Sequence, residues 1–74
     1  RADAPRPGPR FSGRRVRRLR EERGLTRGML AVAVGRSYGS VRLYEAGSVE
    51  PPARVLGRLA AALGVEVSEL FEAG

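Results

Sequence analysis

Arginine is the side chain with the most chemistry to offer in this chain. All 14 basic residues are Arg, set against eight acids, and neither His nor Cys occurs. A guanidinium is permanently charged and presents a planar fork of donors, a shape that suits carboxylates, phosphates and the O6/N7 edge of guanine. It makes a poor general base and no metal ligand. Without His or Cys the usual zinc and transition-metal ligands, the thiolate nucleophile and the disulfide framework are all missing, and no pair of Asp residues is present to share acid and base roles. The composition argues against an enzyme and implies neither a metal nor another cofactor.

The positive charge is concentrated at one end. Residues 1 to 27 hold ten Arg against Asp3, Glu21 and Glu22, a net of +7, whereas residues 28 to 74 hold four Arg against five Glu, a net of −1. Arg in place of Lys is what a GC-rich genome would produce, but base composition does not explain the clustering. A sequence pI of about 11.4 together with a basic N-terminal third points to a polyanionic partner. No apolar run approaches the roughly 20 residues needed to cross a bilayer, and no segment resembles a secretory signal. The expectation is a soluble, cytoplasmic, nucleoid-associated protein with no membrane contact. A chain that opens on Arg1 without an initiating Met is expected to have been cut from something longer or to carry an added residue at its start.

Seventy-four residues suffice for one domain, and a chain this short buries only about 60% of its unfolded surface, so the core must be economical. Residues 1 to 13, RADAPRPGPRFSG, combine Pro, Gly and Arg with Phe11 as the one bulky side chain; such a stretch reads as a flexible basic arm. From Arg14 the pattern turns helical. Val16 and Leu19 share a face, and Gly24 stops a first helix over about 14 to 23. Thr26 then caps a second helix over 27 to 34 with Leu30, Ala31 and Val34 inward. Gly35 reverses the chain, and Ser37 caps a third helix over about 38 to 45 whose Val41 and Tyr44 point into the core.

Gly47 ends that helix, and SVEPP is a loop. Pro52 suits the first turn of a fourth helix, because its missing N–H needs no partner there. Val55, Leu56, Leu59, Ala60 and Leu63 form one apolar stripe along it, closed by Gly64. Ser68 is read as the cap of a last turn that presses Val67, Leu70 and Phe71 onto the core. The predicted fold is all-α: a compact five-helix bundle over residues 14–74 preceded by the 1–13 arm.

Two helices joined by a tight Gly-containing turn also occur as a bare structural hairpin, so spacing must supply the rest. Ala31 lies four residues before Gly35 and Val41 six after it. This puts a small residue where the second and third helices cross and an apolar lock beneath the third. Across residues 15 to 72 the chain resembles the Cro and cI repressor family of helix-turn-helix regulators, also called the XRE family. The resemblance is carried by LREERGLT at 19 to 26, LA at 30 and 31, VGRS at 34 to 37, YEAG at 44 to 47, Pro51, and LAAALGVEVSELF at 59 to 71. It implies a lambda-repressor-like domain that binds double-stranded DNA as a transcription regulator. The third helix would enter the major groove and the second would cross the phosphate backbone, with two copies on a palindromic site about 34 Å apart.

The same resemblance implies candidate contacts at Arg27, Arg36, Ser37, Tyr38, Gly39, Ser40, Arg42, Leu43 and Ser48, and a structural pairing of Arg20 with Glu45 beside Ala31, Gly35 and Val41. The chain also departs from the family pattern. Arg27 stands where relatives often have Gln, which makes any phosphate contact a charged one. At the groove-facing positions Arg42 alone suits a bidentate contact to guanine; Leu43 suits a thymine methyl, and Gly39 only permits close approach. The loop after the third helix carries Ser48, Glu50 and Ala53 where relatives place basic residues, and Glu50 opposes a phosphate backbone. Arm contacts from Arg6, Arg10, Arg14 and Arg15 would compensate, although the arm also reads as a plain solvated linker.

Gly28, Met29, Val32 and Ala33 are apolar where relatives are polar. This strip keeps open an alternative function, a helix-turn-helix scaffold that binds protein, as an antitoxin or partner-docking domain does.

Overall fold

The structure, a computed structural model, describes residues 8–73. A two-residue strand β1 (Arg10–Phe11) leads into α1 (Gly13–Glu22), α2 (Arg27–Val34), α3 (Tyr38–Ala46) and α4 (Ala53–Leu63). A 3₁₀ turn (Val67–Leu70) and a second short strand, β2 (Phe71–Glu72), complete the order. The predicted fifth helix is therefore a single 3₁₀ turn, and the other four helices form where they are expected.

α1, α2 and α3 each begin where a side chain can satisfy the free N–H groups of a first turn. The Arg15 amide donates to Ser12 Oγ at 3.2 Å, that of Met29 to Thr26 Oγ1 at 3.0 Å, and that of Ser40 to Ser37 Oγ at 3.1 Å. The turn between α2 and α3 depends on Gly35, whose φ of +69° lies in the left-handed region that residues with a Cβ rarely adopt. Gly35 N–H and Arg36 N–H close the end of α2 on Val32 and Ala31 carbonyls, at 3.2 and 3.0 Å. The Arg58 guanidinium, reaching across from α4, donates to the Val34 carbonyl at 3.4 Å.

The core is one cluster. Val16, Leu30, Ala31, Val34, Val41, Tyr44, Val55, Leu59, Ala60, Leu63 and Leu70 are buried, and Leu19, Leu56 and Phe71 pack against them half-buried. α2 inserts between α3 and α4, which explains the demand for a small side chain at Ala31.

Four expectations need correction. The arm does not extend to residue 13, because β1 pairs antiparallel with β2 in the register Arg10 to Glu72 and Phe11 to Phe71. Phe11 is too large an apolar group to leave in water, and its ring packs edge-on to Phe71 with centroids 6.1 Å apart. Ser12 N–H then donates to the Leu70 carbonyl at 2.8 Å, and Gly13 already belongs to α1. Residues 1–7, with Arg6, lie outside the described residues.

Secondly, the last turn is capped by Glu66 and not by Ser68. The Glu66 and Glu69 side chains close a reciprocal capping box on each other's backbone amides. Thirdly, Val67 is 40% exposed and leaves Leu70 alone to fill the core from this turn. Lastly, Pro52 is the N-cap of α4 rather than its first helical residue.

α1 and α3 meet at close quarters. A Cβ added to Gly13 would collide with the backbone carbonyls of Tyr44 and Glu45, so only glycine lets the start of α1 rest on the end of α3. Gly13→Ala is expected to lower stability by roughly 1–3 kcal/mol, the usual cost of overpacking, measured by thermal or urea unfolding. The same melt compares two neighbours on α2. Ala31→Leu, at a site 4% exposed, should destabilise by a similar roughly 1–3 kcal/mol. Val32→Glu, at a site 84% exposed, should be close to neutral.

The strand pair is pinned by charge as well as by Phe11. Ser12 Oγ donates to Glu72 Oε2 at 2.7 Å, and Arg15 lies 3.6 Å from the same oxygen. The Ser12 hydroxyl first, then the charges of Arg14 and Arg15, hold the Glu72 carboxyl below its ordinary value of 4.5. A lowered folded-state pKa gives stabilisation that is present above the unfolded value and lost as pH falls through the folded one. Acidification below about pH 4.5 is therefore expected to loosen β1 from β2 before the helices melt. Loss of the Phe11–Phe71 ring contact in NMR spectra, with helical circular dichroism retained, is the measurement.

Candidate nucleic-acid interface

Position 45 organises the surface around α3. Its carboxylate, with 3% of the side chain exposed, sits in the last turn of a helix whose Val41 and Tyr44 are committed to the core, so it must find its counter-charges within the fold. Arg20, from the last turn of α1, meets it as a fork, Nε to Oε2 at 2.6 Å and Nη2 to Oε1 at 3.1 Å. Arg20 Nη1 also donates to the Leu25 carbonyl at 2.8 Å, tying down the link between α1 and α2.

Arg27, the first residue of α2, adds a third bond through Nε to Glu45 Oε1 at 2.9 Å. One acid thereby joins three helices, and among the described residues no buried side-chain polar atom is left without a partner. The Arg27 guanidinium is held further in its charged form than usual, first by the Tyr38 side chain and then by Glu45. Part of the Arg27 fork is thereby spent inside the protein, while its other donors stay uncommitted to Glu45.

The outward face of the turn and of α3 is open. Arg36, Ser37, Gly39, Arg42 and Ser48 are exposed, Tyr38 and Leu43 are 52% and 39% exposed, and Ser40 is half-buried. The Ser37 hydroxyl is engaged locally, accepting from the Ser40 amide and donating to Ser40 Oγ at 3.1 Å. The Ser48 amide closes α3 on the Leu43 carbonyl at 3.0 Å.

Of the four arginines assigned to the arm, Arg10 and Arg14 are exposed on β1 and the first turn of α1. Arg15 is half-buried and engaged within the fold, by Glu72 and, through Nη1 at 3.4 Å, by the Glu69 carbonyl. The structure brings together a residue that sequence reasoning did not single out. Arg17 lines a cleft with Arg27, Arg42, Glu45 and Ala46. Nothing local in α1 marks it, because its role depends on where α3 lies.

Glu45→Ala would leave Arg20 buried and Arg27 half-buried without their shared counter-charge. The expected loss is roughly 3–5 kcal/mol, the range for breaking a buried pair by removing one partner. Urea unfolding of the variant provides the check.

Among the described residues no group of three or more His, Cys, Asp or Glu is arranged to hold a metal, and no helix is long and apolar enough to cross a membrane. A family model described as a helix-turn-helix domain matches residues 13–73. No curated protein matches in sequence. Solved structures do match. The restriction-modification controller protein C.AhdI from Aeromonas hydrophila is 36% identical, with 80% of this chain and 89% of that one covered and a TM-score of 0.76. The P22 c2 repressor, solved in complex with a synthetic operator, is 28% identical over 78% of this chain and 88% of that one, with a TM-score of 0.77. SinR, a master regulator for biofilm formation solved in complex with DNA, is 27% identical over 78% and 94%, with a TM-score of 0.73.

Proposed function

The chain belongs to the helix-turn-helix domain family, in its Cro/cI repressor-like or XRE branch, and on that footing we propose that it reads double-stranded DNA for a transcription regulator. The observation that carries this reading is the division of α3. Val41, Tyr44 and Glu45 anchor it to the body, while Tyr38, Gly39, Arg42 and Leu43 are exposed on its other side. A helix fixed on one side and bare on the other is the shape that enters a major groove.

In this reading α3 lies in the groove, with Leu43 against a thymine methyl, Gly39 at the point of closest approach and Tyr38 at the entry end. The N-terminus of α2 meets the phosphates, where its unpaired amides favour an anion. Arg10 and Arg14 extend the basic surface toward the backbone, Arg36 and Ser48 flank the groove helix, and Ser37 and Ser40 hold its first turn in place. Two copies on a palindromic site would stand about 34 Å apart.

Selection of bound duplexes from a random pool is expected to enrich a paired half-site. Binding of an unselected duplex should weaken steeply between low and physiological salt, as counterions are released. Failure to retain any duplex at low salt would end this reading. Removing residues 1–7, which leaves the Ser12 cap intact, should flatten the salt dependence if Arg6 touches phosphate.

A second reading has one observation in its favour. On α2 Val32 is 84% and Met29 52% exposed, and Ala33 lies exposed beside them; such a strip suits a protein partner more than a phosphate backbone.

A further inference from the structure

The cleft between α1, α2 and α3 has a composition that the groove-reading role of α3 does not require. Its volume is about 290 Å³, and its lining is Arg17, Arg27, Arg42, Glu45 and the small Ala46. Three guanidiniums thus face one carboxylate, and that carboxylate already receives three hydrogen bonds from Arg20 and Arg27. Glu45 has no further charge to give.

Arg17 spends Nε on Glu21 at 3.1 Å, an exposed pair one helical turn apart that competing ions exchange readily. Arg42 has no hydrogen-bond or ion-pair partner among the described residues. Arg27 keeps donors beyond the one it gives to Glu45. An open cleft lined by three arginines with donors to spare suits a tetrahedral oxyanion, whose oxygens accept from several forks at once.

We propose that Arg17, Arg27 and Arg42 form a single phosphate-binding cleft, and that Arg42 is a backbone contact and not a reader of guanine. The proposal rests on the DNA-binding reading for the source of the phosphate, a diester of the duplex backbone, while the cleft chemistry itself would accept free phosphate. It changes the division of labour on α3. Base discrimination then falls to the apolar and close-approach contacts of Tyr38, Gly39 and Leu43. The polar part of the interface serves to set register. The cleft also lies at the first turn of α2, where the helix dipole adds to the attraction for an anion.

The test has two arms. In the first, the arginine Nε–Hε signals of the intact chain are followed by NMR during titration with inorganic phosphate and, separately, with a random-sequence duplex. Signals of Arg17, Arg27 and Arg42 should move together, and those of Arg54 and Arg58 on α4 should stay.

In the second arm, Arg17→Gln and Arg42→Gln are assayed against a panel of duplexes differing by single base pairs over a range of salt. Each variant should lose affinity by a similar factor on every duplex, with the log–log salt slope reduced by about one. A change of preference at one base pair with the slope intact for Arg42→Gln would overturn the proposal in favour of guanine reading. If no duplex binds but phosphate moves the three signals together, the cleft stands and the DNA reading falls. If neither phosphate nor duplex moves them together, the cleft is not an anion site.

Discussion

A carboxylate buried at the end of α3 has to be neutralised, and the way this chain does so fixes how its helices sit. Glu45 is drawn into the interior because Val41 and Tyr44, on the same helix, are held in the core. Once there it requires counter-charges that cannot come from water. Arg20 and Arg27 supply them from the end of α1 and the start of α2. The geometry of a fork on a carboxylate tolerates little displacement. The angle between the helices is consequently set by hydrogen-bond direction as well as by the softer fit of apolar side chains.

The remaining devices protect that arrangement. Gly13 lets the start of α1 settle on the carbonyls that end α3. Gly35 turns the chain between α2 and α3 in a conformation other residues resist, and Arg58 holds the last carbonyl of α2 from the far side. With Val41, Tyr44 and Glu45 turned inward, α3 leaves its other side exposed. Positive charge is then left over at the seam, since four arginines gather around two acids, Glu21 and Glu45.

Most of the helical framework was legible in the sequence because the signals for it are local. Thr26 and Ser37 announce starts, Gly24, Gly35, Gly47 and Gly64 announce stops, and the stripe from Val55 to Leu63 names its own buried face. What escaped was either distant or misread by preference. The partners of β1 lie about sixty residues away in a segment of two residues, and a Pro-rich approach hides them. Ser68 looked the better cap, yet the spacing of Glu66 and Glu69 carried the box. The candidate surface was legible as a list of exposed positions on α3, through family spacing. The attachment of Arg27 to Glu45 and the gathering of Arg17 with Arg42 depend on how α1, α2 and α3 pack, which no single helix encodes.

The pairing of β1 with β2 alters how the molecule comes apart. In an open bundle each end frays on its own, and the free energy of fraying at one terminus tells nothing of the other. Here Phe11 rests on Phe71, Ser12 is bonded to both Leu70 and Glu72, and Ser12 is at the same time the cap of α1. Peeling away the last strand therefore uncaps the first helix, and releasing the first strand bares the last turn. β1, Ser12 and β2 thus form one cooperative unit, so amide exchange near Ser12 and near Phe71 should share a single opening event although the two stretches are far apart in sequence.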